Sequence, residues 1–289
     1  MLSVIIPVYN EEGAVGQTIK NLQAAFERFA LAYELVVVDD GSTDGTANIL
    51  RTLPHIHAIR HRRNTGYGSA LKTGLRHAKG KWIAIIDADG TYKADDLVRL
   101  YNLAQVRHLD MLIGDRSKDM SSVPWYRRPG KVFVTWLAMF LLWQRVPDIN
   151  SGLRVFRRDM AEKFMHLYPQ GFSFTVTITL AALTSNYLVE WEAISYAKRI
   201  GESEIRFWNG LTHTFPNFVA LVIRIITYFK PLRFFLVPAA VLFSIGVVNL
   251  GRTIAFQDNV TDASLLLLLA SLQICLMGLI TDVIVKSRR

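Results

Sequence analysis

The sequence has a single cysteine, Cys275, among its 289 residues. One thiol cannot form a disulfide within the chain, so a disulfide scaffold is excluded, and zinc sites built from four cysteines are excluded with it. Glycine and proline are also scarce, at 18 and 9 residues, which excludes collagen-like and low-complexity chains. At this length the chain can instead bury a hydrophobic core.

Charged residues make up only 20% of the chain, whereas hydrophobic residues make up 51% and the mean hydropathy is +0.23. Disordered chains are poor in apolar residues, so disorder is excluded. Most soluble domains are less apolar, which predicts that part of this chain meets lipid. The net charge of +9 suits nucleic acid, an anionic membrane face or a phosphorylated substrate as partner.

Two C-terminal segments are almost free of charge. Phe234–Gly251 has no charged residue, and Ser264–Val285 has one, Asp282. A helix needs about 20 apolar residues to cross a bilayer, so residues 231–289 are predicted to form a two-helix transmembrane anchor. Buried core helices are the alternative, but they would normally show a polar stripe, and Leu265–Leu269 shows none.

Basic residues flank the two predicted spans on one side of the membrane. They are Lys230, Arg233, Lys286, Arg288 and Arg289. The positive-inside rule therefore places the large N-terminal part and the C-terminus in the cytoplasm. Met1 runs almost directly into a predicted strand, so no signal peptide is expected.

Two further apolar stretches carry basic residues at or near their ends. Val132–Trp143 is too short to span a membrane, and Phe207–Phe229 lies in a juxtamembrane segment, residues 206–230. Both fit helices that lie at the lipid headgroups, and both also fit ordinary core helices.

Residues 1–205 alternate between short apolar runs and amphipathic stretches such as Ala14–Ala30 and Thr46–Leu53. The alternation predicts an α/β domain with a largely parallel sheet. The apolar run Val36–Val38 suits a strand that is covered on both faces. The predicted strands are Leu2–Pro7, Glu34–Asp39, Lys81–Asp87, Leu109–Gly114 and, later in the chain, Leu188–Ala197.

Polar residues follow the first two strands directly. In a parallel sheet, ligands bind outside the carboxyl ends of the strands. Asn10 and Glu11 follow the first strand, and the adjacent carboxylates Asp39 and Asp40 end the second. A carboxylate there can accept hydrogen bonds from a base or a ribose. Helix capping is the alternative role for Asn10, Glu11, Glu12 and residues 42–44, and it is the favoured role for Glu12.

The third strand ends in Asp87-Ala88-Asp89. In an extended chain the side chains at positions i and i+2 point the same way, so we expect both carboxylates on one side. Such a pair makes a hard-oxygen site for Mg²⁺ or Mn²⁺ with room for phosphate oxygens. A lone Asp-x-Asp is a weak signal, but its place directly after an apolar strand strengthens it.

Histidine and arginine residues cluster between the second and third of these strands. His55, His57 and His61 suggest zinc, but they lie in an extended stretch with no carboxylate nearby in sequence, so a structural or surface role is favoured. The basic run Arg60–Arg63 is interpreted first as a solvated edge and second as a phosphate site.

Four motifs in residues 1–205 together resemble family 2 glycosyltransferases with the GT-A fold. They are Val4-Ile5-Ile6-Pro7-Val8-Tyr9-Asn10-Glu11, then Val38-Asp39-Asp40-Gly41-Ser42-Thr43-Asp44-Gly45-Thr46, then Asn64-Thr65-Gly66, then Asp87-Ala88-Asp89. The resemblance implies a nucleotide-sugar donor and a divalent ion, Mg²⁺ or Mn²⁺, on Asp87 and Asp89. The nucleotide-sugar site it implies consists of Pro7, Tyr9, Asn10, Glu11, Asp39, Asp40, Gly41, Ser42, Asp87, Ala88 and Asp89.

Later residues are similar to the polyprenyl-phosphate branch of this family, the dolichol-phosphate mannose synthases and their bacterial counterparts. They are Gly114-Asp115-Arg116, Arg127-Arg128, Asp148-Ile149-Asn150-Ser151-Gly152-Leu153-Arg154 and Lys198-Arg199-Ile200-Gly201-Glu202-Ser203. This resemblance implies that Arg116, Arg128, Arg199 and Ser203 hold an acceptor phosphate. It also implies catalytic roles for Asp89, Asp148 and Arg116.

The sequence departs from these relatives at two places. Gly90-Thr91 stands where many relatives have Leu-Gln, which leaves the third metal ligand open, and Glu204 stands where lysine is common in the mannose synthases. The Gln-x-x-Arg-Trp motif of processive polysaccharide synthases is not present in the sequence.

The reaction that the resemblance implies is inverting, metal-dependent transfer of a hexose from a UDP-glucose or GDP-mannose type of donor. The acceptor would be a polyprenyl (undecaprenyl or dolichyl) phosphate at the cytoplasmic membrane face. A phosphate oxygen is already anionic and needs little help from a general base. The leaving diphosphate needs the divalent ion, and guanidinium groups suit the acceptor phosphate.

Two alternatives stay open. One is a membrane glycosyltransferase of the same fold acting on another lipid or on a glycan hydroxyl, and the other is a non-catalytic, membrane-anchored nucleotide-binding protein. No nucleic-acid recognition motif is found. The oligomeric state stays open as well, although two-span anchors often associate into homo-oligomers.

Overall fold

The computed structural model describes residues 1–116, 146–171, 174–197, 231–257 and 260–287. The chain divides into two compact units, Met1–Leu221 and Val222–Arg289. The predicted interfacial stretches Val132–Trp143 and Phe207–Phe229 lie outside the described residues.

The described part of the first unit contains one mixed sheet. Its strands are β1 (Leu2–Val8), β2 (Tyr33–Asp39), β3 (His57–Arg60), β4 (Trp82–Ile85), β5 (Met111–Asp115), β6 (Arg154–Arg157) and β7 (Val189–Ala193). They lie in the order β3-β2-β1-β4-β6-β5-β7. Strand β6 runs antiparallel to β4 and β5, and the other pairs are parallel. The predicted, mainly parallel α/β architecture is confirmed.

Helices follow most of the strands, as the alternation of patterns predicts. In the described part of the first unit they are α1 (Val15–Arg28), α2 (Thr46–Thr52), α3 (Tyr67–His77), α4 (Ala94–Val106), α5 (Arg158–Lys163) and α6 (Phe174–Thr184), with a short 3₁₀ turn at Met165–Leu167. In the second unit they are α7 (Pro231–Gln257) and α8 (Asp262–Ser287).

Strand β1 is buried along its whole length because helices cover both faces of the sheet. Val4 and Ile6 belong to a core cluster with residues of α1 and α4. On the other face Ile5 lies so close to α3 that a Cβ on Gly74 would collide with its side chain. The period-two alternation of a strand thus places apolar residues on two faces that are both covered.

Helices α7 and α8 form an antiparallel hairpin. A Cβ on Gly246 would lie 3.0 Å from Leu268, and one on Gly278 would lie 2.7 Å from Phe235, so the two glycines let the helices approach closely. Near the connection between the helices, the Asn249 side chain donates a 2.9 Å hydrogen bond to Ser264 Oγ.

Both helices of the hairpin are long and apolar enough to cross a membrane, as predicted. The candidate spans are Pro231–Phe256, with a mean hydropathy of 2.1, and Asp262–Val285, with 2.3. Only 11% and 17% of the residues in an 18-residue apolar stretch of each helix are buried. The core helix of a soluble protein would be mostly buried, so these faces suit lipid.

Candidate active site

A pocket of about 240 Å³ opens at the carboxyl ends of β1, β2 and β4. Its lining consists of Pro7, Val8, Tyr9, Glu11, Asp40, Asn64, Gly66, Tyr67, Ala70, Asp87, Ala88, Asp89, Asn150, Gly152 and Thr175. Seven of the residues predicted to bind a nucleotide sugar lie in this lining: Pro7, Tyr9, Glu11, Asp40, Asp87, Ala88 and Asp89. The other four, Asn10, Asp39, Gly41 and Ser42, lie beside it.

Two of these residues, Asn10 and Ser42, join the loop after β1 to the loop after β2. The backbone N–H of Asn10 donates to Ser42 Oγ at 3.0 Å, and Asn10 Oδ1 accepts from the backbone N–H of Thr43 at 2.8 Å. Asp39 Oδ1 accepts from the backbone N–H of Ser42 at 2.8 Å. Helix α1 begins beyond these contacts, with Ala14 at its N-cap. The capping alternative for Asn10 is therefore wrong, because its side chain bonds the β2 loop instead.

Asp40 lines the pocket while it fixes the start of α3. Its Oδ1 lies 2.6 Å from His61 Nδ1 and accepts from Thr65 Oγ1 at 2.7 Å. Its Oδ2 accepts from the backbone N–H of Gly66 at 2.7 Å. His61 also contacts Thr73 Oγ1 of α3 through Nε2, at 2.9 Å. His61 thus links Asp40 to α3, which agrees with the structural or surface role that was favoured over zinc binding.

Asp87 and Asp89 reach the pocket by a route that differs from the prediction. Strand β4 ends at Ile85, and Ala88 and Asp89 lie in a turn. The argument from an extended strand is therefore wrong, and the turn brings both carboxylates to the pocket. Asp89 Oδ1 accepts from Thr91 Oγ1 at 2.7 Å.

The Tyr67 side chain lies beside the first of these carboxylates. Its hydroxyl donates to Asp87 Oδ1 at 3.0 Å. Burial of the hydroxyl and the negative charge of Asp87 raise the pKa of Tyr67 well above its ordinary value. The hydroxyl is therefore a donor at neutral pH.

The charge of the lining decides what the pocket can hold. The described lining includes four carboxylates, those of Glu11, Asp40, Asp87 and Asp89. Among the described residues it includes no lysine, arginine or histidine side chain. An anionic diphosphate would be repelled here unless a cation accompanied it. Hard carboxylate oxygens are the ligands that Mg²⁺ and Mn²⁺ prefer, so the donor set fits such an ion. No group of three or more potential metal ligands converges in the described part of the chain.

The segment from 146 to 154 forms another wall of the pocket through Asn150 and Gly152. Its anchor is the fully buried Asp148, which pairs with Arg116 through two hydrogen bonds of 2.8 and 3.1 Å. The Tyr92 hydroxyl accepts from the backbone N–H of Gly152 at 2.9 Å. The structure thus pairs Arg116 with Asp148, as two residues predicted to act at one site. Neither residue belongs to the pocket lining. Arg128, Arg199 and Ser203 lie outside the described residues.

Arg154 ends one of the motifs that resemble the polyprenyl-phosphate branch, but no role was predicted for it. Its side chain is fully buried, and its guanidinium donates to the carbonyl oxygens of Ser151 and Thr175 and to Thr179 Oγ1. Burial lowers the pKa of Arg154 to about 10, so it is still protonated at neutral pH. Arg154 therefore ties the 146–154 segment to α6, whose Thr175 lines the pocket. In the sequence it is one basic residue among several, with no signal of burial.

Residues 3–165, more than half of the chain, match Glycosyl transferase family 2, and residues 230–286 match the GtrB C-terminal hairpin. The chain belongs to glycosyl transferase family 2. The resemblance to family 2 that was drawn from the four motifs is confirmed.

Two curated relatives are similar over most of this chain. The low-salt glycan biosynthesis hexosyltransferase Agl6 of Haloferax volcanii is 32% identical over 217 residues, which are 73% of this chain and 52% of the relative. The undecaprenyl-phosphate 4-deoxy-4-formamido-L-arabinose transferase of Sodalis glossinidius is 27% identical, over 70% of this chain and 62% of the relative. The chain spans about half to two thirds of the length of the curated relatives it matches.

Solved structures with the same fold include glucosyl-3-phosphoglycerate synthase from Mycobacterium tuberculosis, in complex with Mn²⁺, UDP and phosphoglyceric acid. Its TM-score is 0.59 at 16% identity, over 78% of each chain. Residues 1–349 of S. aureus TarS, in complex with UDP-GlcNAc, give a TM-score of 0.54 at 22% identity, over 78% of this chain and 65% of that one. At these identities the likeness establishes the fold.

Proposed function

We propose that this glycosyltransferase is an inverting, metal-dependent enzyme that transfers a hexose from a nucleoside-diphosphate sugar to a polyprenyl phosphate. The observation that carries the proposal is the joining of a family 2 domain to a hairpin of two apolar, lipid-compatible helices. An enzyme anchored in this way can meet an acceptor that is itself held in the bilayer. One relative bears the name of an undecaprenyl-phosphate sugar transferase, which supports this acceptor class.

The proposed donor site is the acidic pocket. Pro7, Tyr9, Glu11, Asp40 and Ala88 would contact the nucleotide sugar, because they lie in the lining. Asn10 and Ser42 would shape this site by holding the two loops together, and Asp39 would position Ser42. Gly41 lies between Asp39 and Ser42 in the chain and is proposed to belong to the same site. Mg²⁺ or Mn²⁺ would be held by Asp87 and Asp89. When bound, the ion would stabilise the negative charge of the leaving diphosphate.

The acceptor side needs groups that bring a second anion close to the first. Arg116, Arg128, Arg199 and Ser203 are proposed to hold the acceptor phosphate, because a guanidinium can bind two phosphate oxygens at once. Asp148 would act through Arg116, whose orientation the two-bond ion pair fixes. An anionic phosphate oxygen then attacks the sugar without a dedicated general base.

The proposed enzyme lies in the cytoplasmic membrane with its catalytic unit and C-terminus in the cytoplasm. The basic residues beside the predicted spans, Lys230 and Arg233 before the first and Lys286 after the second, support this orientation.

The test is transfer of radiolabel by the full-length protein in detergent. Labelled UDP-glucose, GDP-mannose and UDP-N-acetylglucosamine are offered one at a time, with undecaprenyl phosphate, dolichyl phosphate or, as matched control, undecaprenol. The proposal expects label in the organic phase with one donor, only with a phosphorylated lipid, and loss of transfer with EDTA. Equal transfer to undecaprenol, or transfer that EDTA does not affect, would contradict it.

A further inference from the structure

The Asp87 carboxylate is held between two segments that are far apart in the sequence. On one side its Oδ1 accepts the 3.0 Å hydrogen bond from the Tyr67 hydroxyl. On the other side its Oδ2 lies against Gly152, so closely that a Cβ at this position would collide with the oxygen. The carboxylate therefore occupies a slot with a donor on one wall and a bare glycine backbone on the other.

The tyrosine that provides this donor is itself firmly placed. Tyr67 is the first residue of α3, and the residue before it, Gly66, has a φ of +100° and donates its backbone N–H to Asp40 Oδ2. Two residues later, the backbone N–H of Ser69 donates to the carbonyl oxygen of Gln170 at 2.9 Å. Contacts on both sides of Tyr67 thus hold the start of the helix before any ligand binds.

A carboxylate on its own is poorly oriented, because the last torsion of an aspartate side chain is broad. A phenol is un-ionised at neutral pH and donates a hydrogen bond, and bonds to a charged acceptor are stronger than neutral ones. A hydrogen-bond donor that contacts a metal-ligating carboxylate, without touching the metal itself, orients that ligand and tunes the metal affinity.

We propose that Tyr67 is a positioning residue that orients the Asp87 carboxylate for the metal and nucleotide in the acidic pocket. The inference rests on the proposed function, because it takes Asp87 as a ligand of the donor side. It assigns Tyr67 to donor binding through Asp87, with no contact to the acceptor lipid.

The test compares two tyrosine-to-phenylalanine variants of the full-length protein. Tyr67→Phe removes one oxygen atom and keeps the ring. Tyr168→Phe is the matched control, since its buried hydroxyl donates to the carbonyl oxygen of Ala161 at 2.8 Å, outside the pocket lining. Mn²⁺ affinity is measured by electron paramagnetic resonance without substrates, and KM is measured for donor and for lipid acceptor. Asp89→Asn provides the reference for loss of the metal site.

Tyr67→Phe is expected to bind Mn²⁺ at least tenfold more weakly and to have a higher KM for the donor, with an unchanged KM for the acceptor. In Tyr168→Phe the Mn²⁺ affinity and both KM values are expected to equal those of the parent protein. Unchanged Mn²⁺ affinity in Tyr67→Phe, or an equal loss in Tyr168→Phe, would overturn the positioning role while leaving the metal site intact. Unchanged Mn²⁺ affinity in Asp89→Asn would instead overturn the metal site of the proposed function, and the inference with it.

Discussion

Replacing Arg154 by methionine should destabilise the catalytic unit strongly, because the side chain is fully buried and hydrogen-bonded. No site role was predicted for this residue. The change keeps a long apolar stem and removes every donor. Thr175 O keeps a partner, because Thr179 Oγ1 also donates to it at 2.7 Å. Ser151 O loses the Arg154 donor, and a buried acceptor without a partner costs about 1–3 kcal/mol.

The lost charge adds to this cost. Arg154 is fully buried, and its guanidinium donates to Thr175 O, Thr179 Oγ1 and Ser151 O. Hydrogen bonds made by a charged group are worth about 1.5–3 kcal/mol each. The release of a poorly solvated cation offsets part of that loss, so we expect a net destabilisation of about 2–5 kcal/mol. The 146–154 segment should loosen with it, and nucleotide affinity should fall.

The assay is urea unfolding of the full-length protein in detergent, followed by tryptophan fluorescence. Arg158→Met is the matched control four residues further along, since Arg158 is partly exposed and pairs with Glu162 on the surface at 2.6 Å. Such a pair is worth about 0–1 kcal/mol. If Arg154→Met and Arg158→Met lower the free energy of unfolding by the same small amount, the argument that Arg154 supports the pocket wall is refuted.

Three further predictions concern the two substrates. Asp89→Asn should lower turnover by about 100-fold or more at an intact fold, because it removes a charged ligand of the proposed ion; near-normal turnover at saturating Mn²⁺ would exclude that ligand. A protein lacking residues 231–289 should still bind UDP or GDP with metal in calorimetry, because the pocket lining lies within residues 7–175; a folded fragment without such binding would refute this. Arg128→Ala and Arg199→Ala should each lower kcat/KM for polyprenyl phosphate by about 10- to 150-fold, at one charge-assisted contact of about 1.5–3 kcal/mol, with little change in nucleotide Kd; equal losses in both would contradict the acceptor role.

The parts of the fold that local patterns encode were predictable. Strands β1 and β2 follow from short apolar runs, and the two C-terminal helices follow from their lack of charge. Glu11, Asp40 and the Asp87-Ala88-Asp89 motif could be assigned to one site, because the carboxyl ends of parallel strands meet at one edge of a sheet. The family resemblance added Pro7 and Tyr9 to that site.

The parts that depend on distant contacts were not predictable. Strand β6 is not among the predicted strands. Its first residue, Arg154, is buried because carbonyl groups from α6 and the preceding loop accept its hydrogen bonds. The bond between Tyr67 and Asp87 joins residues 20 positions apart, and no periodicity marks it. The double role of Asp40 was hidden for the same reason, because its partners follow β3.

The most direct test of the central claim is mass spectrometry of the lipid formed by the purified protein from a nucleotide sugar, Mn²⁺ and undecaprenyl phosphate. The account predicts a product heavier than the lipid phosphate by one hexose, formed in equal amount with the released nucleoside diphosphate. Release of the nucleoside diphosphate without this glycolipid, or the same hexose addition to undecaprenol, would contradict it.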